Sequence, residues 1–199
     1  MTLTDMLMNL LFKTVLFLII PFIWWFKNAR KQSSFFEYVG IKKTVSVNKN
    51  HFRLTVSLTL IFILFVPTLY YIFYPDIFSS SGERMSFWLL AYVLIIRPVY
   101  STGFLEEVGF RGFLGKRLIG RFGFAIGNSL QALIFGVAHI NLSMSFSSVV
   151  FVIAVTGGLG WIFGYITEKQ AGGSINYAWA LHAFANFPLF QFVLFRGAS

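Results

Sequence analysis

Long apolar stretches separated by short polar segments make up most of this chain. Each stretch is close to the ~20 residues that a helix needs to cross the hydrocarbon core of a bilayer. The pattern predicts an all-α fold, a polytopic bundle of transmembrane helices with about six spans. Five spans are expected at about 6–26, 54–74, 124–140, 147–166 and 175–195, and another starts near Phe87 and leads into a helix over about 104–119.

Proline and glycine mark where these helices are interrupted. Pro98 should kink or end the third span, and "GRFG" at 120–123 should form a turn. The Gly-x-x-x-Gly pairs 123/127 and 160/164 are predicted to let helices approach closely. We divide the chain into N-terminal spans with a basic loop, residues 1–86, and a core over 87–199.

Composition and charge agree with a membrane protein. The chain has 199 residues, of which 57% are hydrophobic and 12% charged, whereas soluble domains carry about 25% charged residues. The net charge of +9 reflects clusters beside the spans, as the positive-inside rule produces. The chain has no cysteine, which excludes a thiol nucleophile and disulfides. The clusters lie in or beside the 27–53 loop (Lys27, Arg30, Lys31, Lys42, Lys43, Lys49, Arg53) and near the 116–121 turn (Lys116, Arg117, Arg121).

This distribution predicts a multi-pass protein of the cell membrane with both termini outside. The 27–53 loop and the 116–121 turn then face the cytoplasm, and residues 75–86 form a short outer loop. The lipid bilayer is the expected environment, and contact with anionic lipid fits the basic clusters. Nucleic acid is not an expected partner.

A few ionisable residues lie deep in the predicted spans, where charge is costly and is a sign of function. Apart from Lys13 and Arg97, they are two adjacent glutamates and an arginine on one helix, and two histidines on two others. The set comprises Glu106, Glu107, Arg111, His139 and His182, together with Asn186 one turn after His182.

Helical spacing separates the two glutamates. Glu107 and Arg111 are four residues apart, so they share a face in the favourable Glu-before-Arg order and can pair. Glu106 points about 100° away and has no partner nearby in sequence. We therefore interpret Glu106 as unpaired and available for chemistry.

The histidines can reach the same depth as Glu106. Glu106 precedes the turn at 120–123 by about as many residues as His139 follows it, so an antiparallel hairpin brings them level. Phe135 shares a face with His139, and His182 shares one with Asn186. One cavity can therefore hold all of these side chains. The alternative is that they are interhelical polar contacts, worth about 0.6 kcal/mol each on average.

A carboxylate and a histidine can activate water as a general base. A second histidine with an amide can stabilise an oxyanion. This set suits hydrolysis of an acyl bond, and a peptide is the obvious substrate within a membrane. The zinc-protease motif His-Glu-x-x-His is absent, since "INLS" follows His139.

Three motifs in this order resemble the CAAX-protease and bacteriocin-processing family, also called Abi or type II CAAX prenyl endopeptidase-like. The family pattern is Glu-Glu-x-x-x-Arg, Phe-x-x-x-His and His-x-x-x-Asn/Asp. Here it reads "EEVGFR" at 106–111, "FGVAH" at 135–139 and "HAFAN" at 182–186. The resemblance covers about residues 87–195.

The resemblance implies an intramembrane endopeptidase. It implies that Glu106 and His139 activate water and that His182 and Asn186 line the oxyanion site. Glu107 and Arg111 would then orient or support the site, with Phe135 beside them. No cofactor is expected, although the family has also been described as metalloprotease-like.

The expected substrate is a membrane-associated protein or peptide, in CAAX processing, peptide maturation or bacteriocin self-immunity. The alternative function is that of a non-catalytic immunity or scaffold protein that uses the motifs for helix packing.

Overall fold

The computed structural model describes residues 3–45, 48–73, 92–140 and 145–196, and all regular structure in these ranges is helical. The predicted outer loop at 75–86 and the start of the third span near Phe87 lie outside the described residues. The fold class predicted from the hydrophobic pattern, an all-α membrane bundle, is confirmed.

Seven helices are described, several of which contain π-helical turns. Helix α1 consists of Leu3–Thr14, π-helical Val15–Ile19 and Ile20–Asn28; α2 is Phe35–Tyr38; α3 is Lys49–Phe73; α4 consists of π-helical Tyr92–Phe104, Leu105–Glu107 and π-helical Val108–Gly115; α5 is Lys116–Val137; α6 is Phe146–Tyr165 with the π-helical turn Ile166–Gln170; and α7 is Asn176–Arg196.

By length and composition, three helical stretches in the described part of the chain could cross a membrane: Thr4–Asn28, Leu94–Val137 and Phe146–Gln170. The second is 44 residues long and contains a reversal of direction, so it supplies two antiparallel arms. The bundle has three spans if only these stretches are counted. It has up to six if the second stretch is counted as two arms and α3 and α7 are added.

Pro98 does not end α4, which continues through it with π-helical hydrogen bonding. Side chains bond to the carbonyls on either side of Pro98. The Thr102 hydroxyl donates to Arg97 O at 2.8 Å, and the Trp179 indole donates to Val99 O at 2.8 Å. The second bond also fastens α7 to α4.

The predicted turn at 120–123 is confirmed at Gly123. This residue has φ +77° and ψ 168° inside the run Lys116–Val137, a conformation that L side chains rarely adopt. Arg111 then faces Phe135, and Ile119 faces Gly127, in each case at equal sequence distance on either side of Gly123. The two arms therefore form an antiparallel hairpin.

Close helix packing at the Gly-x-x-x-Gly pairs is confirmed for three of the four glycines. A Cβ atom on Gly127 would collide with the backbone of Ile119, and one on Gly164 would collide with Asn128. A Cβ atom on Gly160 would lie 2.9 Å from the Phe135 ring. The packing interpretation is wrong for Gly123, which has no neighbour within 4 Å of that position and serves the turn instead.

The basic loop, the hairpin arm and the turn before α7 meet at one end of the bundle. Gly40 O accepts a hydrogen bond from Ile175 N at 2.9 Å, and Lys42 O accepts one from Ser174 Oγ at 2.9 Å. The Arg117 guanidinium hydrogen-bonds to the Tyr38 hydroxyl. These segments therefore share one side of the bundle.

Candidate active site

Helix α4 carries two adjacent glutamates and an arginine into the interior. Glu106, Glu107 and Arg111 are 6%, 0% and 2% exposed. Arg111 Nη1 lies 2.8 Å from Glu107 Oε1, which is the predicted pair. The guanidinium also lies over the rings of Phe135, at 4.1 Å, and Phe163, at 5.3 Å. A carboxylate and two aromatic faces thus compensate for the loss of water around this charge.

Glu107 also holds a histidine from another helix. Its Oε1 lies 2.8 Å from His182 Nδ1, and because a carboxylate oxygen only accepts, Nδ1 carries the proton. The other nitrogen, Nε2, then points to Glu106 Oε2 at 4.0 Å. Glu107 therefore orients His182 as well as pairing with Arg111.

His139 reaches the same carboxylate oxygen from the end of the hairpin. Its Nδ1 donates to the carbonyl of Phe135 at 2.7 Å, since a carbonyl also only accepts. Its Nε2 lies 3.9 Å from Glu106 Oε2. The hairpin thus brings Glu106 and His139 to the same depth, as their distances from the turn predict.

The prediction that Glu106 is unpaired is wrong. Glu106 Oε1 accepts a hydrogen bond at 2.6 Å from the ammonium of Lys13 on α1. The sequence gives no sign of this pair because the two residues are distant along the chain. Glu106 Oε2, in contrast, is buried and receives no hydrogen bond from the described residues, and it faces the two imidazoles.

Asn186 is half-buried, one turn after His182 on α7. Its amide Nδ2 donates to the Thr102 hydroxyl of α4 at 2.9 Å. Thr102 is itself bonded to Arg97 O, so this contact belongs to the region around Pro98. The predicted role of Asn186 at the oxyanion site stays a prediction.

Sequence reasoning missed a polar layer behind the site. Asn128 Nδ2 donates to Trp161 O at 3.0 Å, and Gln131 Nε2 donates to Gly160 O at 2.9 Å. Both side chains are fully buried and join α5 to α6. The signal was available, because Asn128, Gln131 and Phe135 recur at helical spacing on one face of an apolar helix.

Two imidazoles and a carboxylate oxygen thus converge inside an apolar helical bundle. Residues 85–188 match the family model described as "Type II CAAX prenyl endopeptidase Rce1-like". Because the match covers more than half of the chain, the protein belongs to this family of CAAX-type intramembrane proteases. No curated protein and no solved structure matches the chain significantly.

The contacts of Glu107 predict that its charge stabilises the folded protein. In Glu107→Gln, the Arg111 guanidinium is left without its counter-charge, and breaking one partner of a buried pair costs about 3 to 5 kcal/mol. We expect a low yield of folded protein in detergent for Glu107→Gln and a partial recovery in Glu107→Gln/Arg111→Gln. Size-exclusion yield and thermal unfolding measure both effects. A single variant as stable as wild type would refute this role.

Proposed function

We propose that this protein is an intramembrane endopeptidase that hydrolyses a peptide bond with water activated by Glu106. One observation carries the proposal: the Oε2 atom of Glu106 is buried, receives no hydrogen bond from the described residues, and faces Nε2 of both His139 and His182. Three segments far apart in sequence supply these atoms. Oε2 of Glu107 is likewise buried without a hydrogen bond from the described part of the chain, so it is the approach of two imidazoles to Glu106 that favours chemistry over helix packing.

The distances suit a water molecule between the groups. The separations of 3.9 Å and 4.0 Å between Glu106 Oε2 and the Nε2 atoms of His139 and His182 are too long for direct hydrogen bonds. They are compatible with one water that donates to Oε2 and to an imidazole nitrogen. Glu106 then takes a proton as the water oxygen attacks the scissile carbonyl carbon, and returns that proton to the departing amine nitrogen.

His139 and His182 differ in what orients them. The Phe135 carbonyl holds Nδ1 of His139, which leaves its Nε2 lone pair to accept from water. The Glu107 carboxylate accepts from Nδ1 of His182 and so aims Nε2 of that ring at the site. We propose that His182 stabilises the oxyanion by donating from Nε2, with Asn186 on the same face of α7.

The family supports a membrane-associated substrate that carries a CAAX-type sequence. We propose a lipid-modified peptide tail, since an apolar anchor would bring the scissile bond to a site inside the bundle. Peptide maturation and bacteriocin self-immunity are further biological settings of the same chemistry. A prenylated CAAX peptide with a quenched fluorophore is accordingly the first probe.

The second candidate function is a non-catalytic scaffold, for which the Lys13–Glu106 pair is the favouring observation. An ion pair across two helices at 2.6 Å is also what a structural role requires. It engages only one oxygen of the carboxylate, however. The second oxygen is what favours the enzyme.

The glutamate-base mechanism predicts that Glu106→Gln removes turnover per folded molecule, apart from the stability lost with the Lys13 ion pair. Glutamine keeps the shape of the side chain but cannot take a proton from water, and loss of a general base costs about 10² to 10⁴ in rate. Cleavage of the prenylated peptide by purified protein in proteoliposomes measures this loss. Glu37→Gln, at an exposed glutamate of the basic loop, is the matched control with unchanged turnover. Full activity of Glu106→Gln at normal abundance would leave the scaffold as the better account.

We further propose that turnover needs no zinc, because the Lys13 ammonium occupies one side of the carboxylate that a metal would share. Within the described residues, no three His, Asp or Glu side chains form a metal-binding group. Peptide cleavage should therefore persist in a chelator. Loss of activity that stoichiometric zinc restores would contradict this.

For orientation, we propose that the shared end of the bundle faces the cytoplasm and that both termini lie outside. The support is the clustering of basic residues there together with the hydrogen bonds of Gly40 and Lys42. The chain has no cysteine, so a Lys43→Cys variant labels without background. An impermeant maleimide should label it in inside-out vesicles and not in intact cells; the opposite pattern would reverse the orientation.

A further inference from the structure

Lys13 contacts the proposed catalytic glutamate from outside the part of the chain that defines the family. It lies on α1, whereas the family match covers residues 85–188. Its ammonium is 2.6 Å from Glu106 Oε1, with 21% of the lysine side chain exposed against 8% for the glutamate. A lysine in the middle of an apolar span is costly, so the contact of Lys13 with Glu106 indicates a function.

A fitted packing contact sets the position of α1 relative to α4. The Phe17 ring lies against Gly109, where a Cβ atom would collide with it, and the Phe17 and Phe110 rings are 5.5 Å apart. Phe17 is four residues after Lys13 and Gly109 is three after Glu106, so each helix presents both of its residues on one face. The aromatic contact therefore holds Lys13 level with Glu106.

The ammonium and the histidines use different oxygens of the same carboxylate. Lys13 only donates hydrogen bonds, and its bond to Oε1 restricts rotation of the carboxylate. The other oxygen, Oε2, is thereby directed at the Nε2 atoms of His139 and His182. Lys13 thus supplies the hydrogen bond that fixes Oε1.

We infer that Lys13 is a positioning residue for Glu106, and that α1 is therefore part of the catalytic site rather than an N-terminal anchor. This rests on the proposed function. Lys13 supplies a fixed cation that holds Oε1 and so aims the carboxylate, while the water lies between Oε2 and the imidazoles. The catalytic unit is thus longer than the motif-bearing region.

The test uses the full chain in proteoliposomes, with the prenylated CAAX peptide as probe, and compares Lys13→Met, Lys13→Arg and Lys27→Met. Lys27 is an exposed lysine of the same helix and controls for loss of a positive charge. We expect kcat per folded molecule to fall roughly 10²-fold in Lys13→Met, the effect of a small misplacement of a reacting group. KM should stay unchanged, Lys13→Arg should recover part of the loss, and Lys27→Met should match wild type.

A second measurement does not depend on the probe. In a double-mutant cycle on thermal unfolding, Lys13→Met should destabilise the wild type, whereas in the Glu106→Gln background, where Lys13 has already lost its counter-charge, it should cause no further loss or recover stability. Independent effects would overturn the inference. So would a Lys13→Met variant that keeps wild-type kcat while Glu106→Gln is inactive, and in that case the proposed function survives. A wild type no more active than Glu106→Gln would instead refute the proposed function, and the inference with it.

Discussion

Two adjacent carboxylates inside an apolar bundle are the constraint on which this structure depends. Each needs donors or a counter-charge, because water is scarce around it. Glu107 obtains them from Arg111 on its own helix and His182 on α7, and Glu106 obtains a cation from Lys13 on α1. Satisfying these two groups therefore fastens α1 and α7 to the same turn of α4.

Small residues make the same geometry possible on the other side of α4. The reversal at Gly123 returns α5 along α4, and Gly160 lets the Phe135 ring and the Arg111 guanidinium approach α6. Arg111 can then stack on Phe135 while the Phe135 carbonyl holds His139. Phe135 therefore compensates the charge of Arg111 by stacking its ring on the guanidinium, and its carbonyl orients His139.

Much of this arrangement could be predicted from the sequence where the relevant interactions are local. The Glu107–Arg111 pair follows from helical spacing. That Glu106 and His139 lie at the same depth follows from counting residues to a glycine turn. The Lys13–Glu106 pair could not be found this way, because it depends on how α1 is rotated against α4, which Phe17 and Gly109 determine.

The same limit applies to two other features. Asn186 binds Thr102, whose hydroxyl also bonds to Arg97 O in the π-helical part of α4, and helical periodicity carries no information about that. Gly123 and Gly127 look equivalent as a small-residue pair, yet one forms the turn and the other the contact. The backbone conformation distinguishes them, because Gly123 has a positive φ.

The most direct test of the central claim is an experimental structure of the wild-type protein at a resolution that reveals ordered water. We expect a water oxygen about 2.6–3.2 Å from Glu106 Oε2, within hydrogen-bonding distance of Nε2 of His139 or His182, with Lys13 on Oε1. A structure in which a protein donor occupies Oε2, or in which both imidazoles turn away from it, would contradict the account.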